Sequence, residues 1–168
     1  MMLDFMLPTE KNKEDVLAFY KEFEADNSVC IGMYNYEDYD VWLTGMRNRH
    51  TGKNLPQGYV QEDFYLCYLA EELVGVFSLK MTLTDYLLNY GRHIGYAVRP
   101  SKQNQGIATK MLEKGLEIAR NHGFKQILCV CDEGNEASEK VIRKNGGVFE
   151  NALYDSEEDV IVKRFWIS

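Results

Sequence analysis

The sequence has no apolar run long enough to cross a membrane, no dense basic stretch, no paired-cysteine motif and no long linker, and each absence removes a class of function. The apolar start, Met1 to Leu7, is interrupted by Asp4 and closed by Pro8, far short of the roughly 18 residues that suggest a span. It also lacks a basic leader, so a cytoplasmic soluble protein without a membrane partner is expected. Nineteen Lys and Arg stand against 26 Asp and Glu, a net charge of -7. Such a balance repels a phosphate backbone, which argues against nucleic acid as a partner. The four cysteines, Cys30, Cys67, Cys129 and Cys131, form no CxxC pair, and His50, His93 and His122 are scattered. No metal site is expected from them, and the thiols read as small reduced hydrophobes.

What is present suits one domain over residues 1–168. The chain is 45% hydrophobic and 12% aromatic, enough for one continuous core. A strand near Leu3 to Leu7 is expected to lead into helices at about Lys13 to Phe23 and Tyr36 to Arg49, from apolar spacing. Phe64 to Ala70 and Leu73 to Met81 are rich in β-formers and flank Glu71-Glu72, which reads as a tight hairpin. A third strand runs from about His93 to Val98, and Pro100 stops it. From Gly106 onward Ala108, Leu112, Gly115, Leu116 and Ala119 recur at helical spacing, until Gly123 ends the helix. Ile127 to Cys131 is a continuous apolar strand. A helix from about Asn135 to Asn145, closed by Gly146-Gly147, and two strands near Val148 to Tyr154 and Val160 to Ile167 complete the order.

The segment most informative about chemistry is Gly95-Tyr96-Ala97-Val98-Arg99-Pro100-Ser101-Lys102-Gln103-Asn104-Gln105-Gly106-Ile107-Ala108-Thr109. It reads as a strand, a polar loop and a helix start. N–H groups of such a loop and of the first helical turn have no intrahelical partner, so they can donate to a pyrophosphate while the helix dipole favours its charge. At Gly106 a side chain would hold the phosphate away from the backbone. Lys102 and Arg99 are positioned to add positive charge. No Gly-Lys-Ser/Thr closes the loop and three spaced glycines are missing, which sets aside the P-loop and dinucleotide folds.

Gln103-Asn104-Gln105-Gly106-Ile107-Ala108 resembles the phosphate loop of the GNAT superfamily of N-acetyltransferases, Gln/Arg-x-x-Gly-x-Gly/Ala. Asn135-Glu136-Ala137-Ser138 with Lys144-Asn145-Gly146-Gly147 is similar to its second coenzyme A segment, and the element order agrees across nearly the whole chain. More narrowly, His93 to Pro100 and Arg164-Phe165-Trp166-Ile167 resemble a group of bacterial predicted acetyltransferases. The resemblance implies an α/β fold of the GNAT-like acyl-CoA N-acyltransferase type, a mixed central sheet of about seven strands with helices on both faces. It further implies that the strand through Ala97 and Val98 splays from the Ile127 to Cys131 strand to admit the pantetheine arm. Residues Gln103 to Thr109 would then bind the pyrophosphate of acetyl-CoA, with Asn135 and Ser138 on the other side of the arm. A homodimer is expected on the same ground.

One position departs from the family pattern. A tyrosine general acid, where the family uses one, falls at Ile142. A thiol of pKa about 8.5 leaving as thiolate at pH 7 loses roughly 2 kcal/mol, which catalysis tolerates. Tyr96, Tyr154 or a water are the remaining acids. For the base that must free the attacking amine, the candidates are His93, Asp132 and Glu133. The expected reaction is direct acetyl transfer in a ternary complex to a primary amine of a small molecule or peptide. The acceptor is expected to approach past the first two helices and the Thr82 to Arg92 connection. The alternative is a catalytically silent acetyl-CoA-binding sensor or partner-binding module. Glu22, Glu24, Asp26, Glu37, Asp38 and Asp40 cluster near those helices, as a solvated acidic face or as attraction for a cationic acceptor.

Overall fold

Alternating burial along the strands and a three-to-four-residue apolar period along the helices sort the chain into a β layer with helices on both faces. A computed structural model describes residues 1–168. The strands are β1 Leu3–Met6, β2 Glu62–Leu69, β3 Glu72–Lys80, β4 Ile94–Val98, β5 Ile127–Asp132, β6 Val148–Asp155 and β7 Val160–Ile167. The helices are α1 Lys13–Ala25, α2 Tyr39–Thr51, α3 Asp85–Tyr90, α4 Ile107–Asn121 and α5 Glu136–Lys144, with short 3-10 turns at Glu10–Asn12 and Pro100–Lys102. The expected order is thus present, with α3 added inside the Thr82 to Arg92 connection. Six residues capped by the Thr84 hydroxyl are too few to show helical periodicity in a sequence. None of the helices is long and apolar enough to cross a membrane.

The seven strands pair as two antiparallel sheets, β1-β2-β3-β4 and β5-β7-β6. They meet where His93 N–H donates to the Leu128 carbonyl and Leu128 N–H donates to His93 Nδ1, at 3.0 and 2.9 Å. Both bonds sit at the beginnings of β4 and β5, and neither strand pairs with the other further along, so the sheets part toward the strand ends. The β2–β3 turn falls on Ala70 and Glu71, one residue earlier than the sequence suggests, and both hold a positive φ, 49° and 68°. Positive φ at both central residues is the demand of a type I′ hairpin, met here without glycine.

Alternation on β3 sends Val76 to the α1–α2 face and Phe77 and Leu79 to the α4 face, which gives two apolar cores. Against the second face, α4 approaches unusually closely at Gly115. A Cβ there would lie 1.9 Å from the Phe77 ring, so glycine sets the helix-to-sheet distance.

Candidate functional site

The polar loop before α4 runs from Gln103 to Gly106. Asn104 and Gly106 both take left-handed φ, 61° and 79°, an arrangement that turns neighbouring amides the same way. The N–H groups of Asn104, Gln105, Gly106, Ile107, Ala108 and Thr109 find no acceptor in the protein, and no side chain caps α4. A Cβ built on Gly106 meets nothing within 4 Å, so the glycine faces open space, and its φ would strain any L residue. Six unpaired donors at a helix start are able to bond a multiply charged anion. The side chain of Gln103 instead donates to the Val98 carbonyl at 3.1 Å, which pins the loop to the end of β4.

The expected charges Lys102 and Arg99 are corrected by their partners. Arg99 pairs with Glu22 at 2.9 Å and donates to the Leu73 carbonyl, and Lys102 pairs with Glu72 at 3.2 Å. Their charge is largely cancelled locally, so they act as struts tying α1, β3 and the loop. Glu22 also accepts from Ser101 N–H. Hydrogen bonds from Ser101 and Arg99 hold its carboxyl below the usual range, against the burial that would raise it.

Between the parting strands lies a cavity of about 170 Å³, walled by Arg92, by Gly95 and Tyr96 of β4, by Cys131 and Asp132 of β5, and by Ser138 of α5 and its N-cap Asn135. The Asn135 side-chain oxygen accepts from Ser138 N–H at 3.2 Å and so caps α5. Its amide NH₂ makes no bond, which lets one side chain cap the helix and still donate into the cavity. The Tyr96 and Ser138 hydroxyls lie 3.1 Å apart. Burial pushes Tyr96 up to about 12, so the phenol stays protonated and can donate but not accept a proton near neutrality. Asp132 forms neither an ion pair nor a side-chain hydrogen bond. Burial raises the Cys131 thiol, and with it the cost of its nucleophilic form.

Arg99 N–H bonds to the Val74 carbonyl on the β3 side. Alternation therefore turns the backbone groups of Val98 and Tyr96 toward β5 and the cleft. The Ala97 side chain packs the other way, against the α1–α2 core.

The other candidates stand apart from this cavity. His93 is engaged in the junction between the sheets: Nδ1 accepts from Leu128 N–H, and the ring packs edge-on to Phe124 at 5.1 Å. Burial lowers its proton affinity. The Tyr154 hydroxyl donates to Asp159 at 2.6 Å on the exposed β6–β7 hairpin. Glu133 is exposed beyond the cavity wall. Ile142 is fully buried in the core beneath α4.

A second cavity, of about 290 Å³, opens on the other side of β4, beneath the α1–α2 loop and α3. Arg49, Glu62, Ser78 and Lys80 line it, and Glu62 receives both Arg49 at 3.2 Å and Lys80 at 2.6 Å. The cavity lies on the side of the first two helices and the Thr82 to Arg92 connection, and its charged residues, which come from separate elements with no shared motif, are not singled out by the sequence. Of the acidic cluster expected near the first helices, none lines either cavity. Glu22 is bound to Arg99, and Asp38 caps α2.

The sequence profile described as an acetyltransferase (GNAT) domain matches residues 5–148. Solved structures agree over nearly the whole chain. One is the Salmonella typhimurium acetyl transferase that modifies the N-terminal serine of ribosomal protein L7/L12, with 21% identity, TM-score 0.73, and 99% and 95% of the two chains covered. Another is the L7/L12 α-N-protein acetyltransferase RimL in complex with coenzyme A, with 20% identity, TM-score 0.73, and 99% and 94% covered. A third is the microcin C7 self-immunity acetyltransferase MccE in complex with acetyl-CoA and AMP, with 17% identity, TM-score 0.73, and 98% and 91% covered. At these identities the likeness speaks for the fold. No curated protein matches in sequence.

Proposed function

Because the chain belongs to the GNAT acetyltransferase family and is an acyltransferase acting on amines, we propose that it transfers the acetyl group of acetyl-CoA directly to a primary amine in a ternary complex. The observation that carries this reading is the row of six unpaired amides from Asn104 to Thr109, with Gly106 open beside them. They would take the pyrophosphate. From there the pantetheine arm would run back along the inward edge of β4. Val98 to Ile94 span about 13 Å at about 3.3 Å per residue, which brings the thioester beside Tyr96 and Ser138. Backbone groups of Val98 and the NH₂ of Asn135 would hold the arm from its two sides.

In the reaction the amine nitrogen forms a bond to the thioester carbon, and the carbon–sulfur bond breaks. Asp132, free of partners at the cavity wall, would take the amine proton through a water. The phenol of Tyr96, hydrogen-bonded to Ser138, would give one to the departing thiolate. The net change moves one proton from amine to thiol. The buried, protonated Cys131 thiol argues against an acyl-cysteine intermediate. The reaction belongs where acetyl-CoA is held, and the cytoplasm is the proposed location.

Calorimetric titration with acetyl-CoA, together with thiol release against a panel of amines, tests this reading. Binding with amine-dependent release is expected. Tight binding with no release from any amine would favour the silent module, and absence of binding would overturn the site itself.

A further inference from the structure

We propose that the cavity beneath α3 is the acceptor site and that it selects an amine carrying an anionic group, a carboxylate or a phosphate. This inference rests on the acetyl-transfer reading and adds the chemical class of the acceptor. Three observations support it.

The first is position. Ser78, in the wall of the larger cavity, stands directly opposite Gly95, in the wall of the thioester cavity. The pair is hydrogen-bonded by the alternation along this ladder, so its Cα atoms are about 5.5 Å apart. The two cavities therefore adjoin at neighbouring residues of one ladder. The second is the missing side chain at that junction. A Cβ on Gly95 would lie 3.0 Å from Arg92 Nε and 3.1 Å from Ser78 Oγ. Glycine leaves room for the guanidinium and the hydroxyl to converge on the place where an acceptor passes between the cavities.

The third is charge. On a chain of net charge -7, the two adjoining cavities collect Arg49, Lys80 and Arg92 against the carboxylates of Glu62 and Asp132. Glu62 is committed to Arg49 and Lys80. Arg92, half-buried, has neither an ion pair nor a hydrogen bond. A half-buried guanidinium with no hydrogen-bond partner leaves its donors free for a ligand, and its planar fork suits carboxylate and phosphate oxygens alike. A polyamine or a bare diamine would meet like charge here. The cavity, about 290 Å³, is worth about ten waters of liquid volume. That suits a metabolite or the first residue of a peptide.

The test compares thiol release for α-amino acids and aminoalkyl phosphates, each beside its neutral amide or alcohol counterpart, and for simple diamines. For the parent, kcat/KM at least tenfold higher for one anionic series than for its neutral counterparts is expected, and the favoured series identifies carboxylate or phosphate. In Arg92→Gln the preference should vanish through a rise in KM for the anionic amines, with neutral amines unchanged, and Arg92→Lys should restore part of it. Preference for neutral amines or diamines, or an equal loss for all amines in Arg92→Gln, would overturn the proposal. If no amine is turned over, titration of the N-acetyl derivatives of the same panel into the coenzyme A complex decides. Binding weakened tenfold or more by Arg92→Gln supports the site, and unaltered binding refutes it. A parent that does not bind acetyl-CoA would instead fail the underlying acetyl-transfer reading.

Discussion

The acid role proposed for Tyr96 rests on where its ring is buried. Pushed up to about 12, the phenol can serve a leaving thiolate but cannot deprotonate an amine, so acid and base must be different groups. Tyr96→Phe is expected to lower kcat by about 10- to 30-fold at pH 7, since a thiol of pKa about 8.5 loses roughly 2 kcal/mol by leaving unprotonated. The deficit should shrink above pH 8.5 with KM for acetyl-CoA unaltered, and a deficit independent of pH would remove Tyr96 as the donor. Asn135 joins a cap and a donor in one side chain, and Asn135→Asp separates them. The carboxylate keeps the cap oxygen and loses the NH₂, so melting should hold while acetyl-CoA affinity falls by about one hydrogen bond, roughly 0.5–1.5 kcal/mol. For His93, burial favours the neutral ring in the folded state. Its folded pKa is therefore below the unfolded value of about 6.5, and as pH falls below that value the unfolded chain takes up the proton first. Stability is lost in that window. His93→Gln should soften this acid loss in urea titrations while leaving the acidic limb of the rate profile in place, because Nδ1 already accepts from Leu128. Disappearance of the limb would return His93 to the list of bases.

At the scale of elements, α4 does two things at once, with its N-terminus at the proposed anion site and its middle pressed on the sheet. Gly115→Ala illustrates how context overrides propensity. Alanine is the better helix former by about 1 kcal/mol, yet its methyl would collide with Phe77, and overpacking costs about 1–3 kcal/mol. Net destabilisation in urea is expected, and a stabilised variant would mean that the ring can move aside. The same helix explains what the sequence could and could not disclose. Its apolar stripe is contiguous in the chain, so spacing reveals it, whereas the roles expected of its entering loop and of the Asn135 to Ser138 segment come from their resemblance to the GNAT family. The proposed acceptor cavity draws Arg49 from α2, Glu62 from β2 and Ser78 and Lys80 from β3, and Arg92, from the turn before β4, lines the adjoining cavity. No local pattern links them. α3 escaped notice for its shortness. The neutralisation of Arg99 and Lys102 depended on Glu22 and Glu72, which lie far away in the chain.

For the whole molecule, the parting of the two sheets was legible only through resemblance, because β4 and β5 have the composition of any buried strand. β4 has β3 as its only ladder partner and β5 has only β7, and the two are tied together at His93 and Leu128. The centre of the β layer is therefore built from two strand edges facing one another. Amide protons on those inward edges, at Tyr96 and Val98 among them, should exchange with deuterium faster than those of β3 and β7, reversing the usual gradient in which the middle of a sheet is the slowest region to label. Added acetyl-CoA should slow them selectively, and uniform slowing across both sheets would count against an arm lying between the strands. Isotope uptake at mid-sheet would thus report donor occupancy without any turnover.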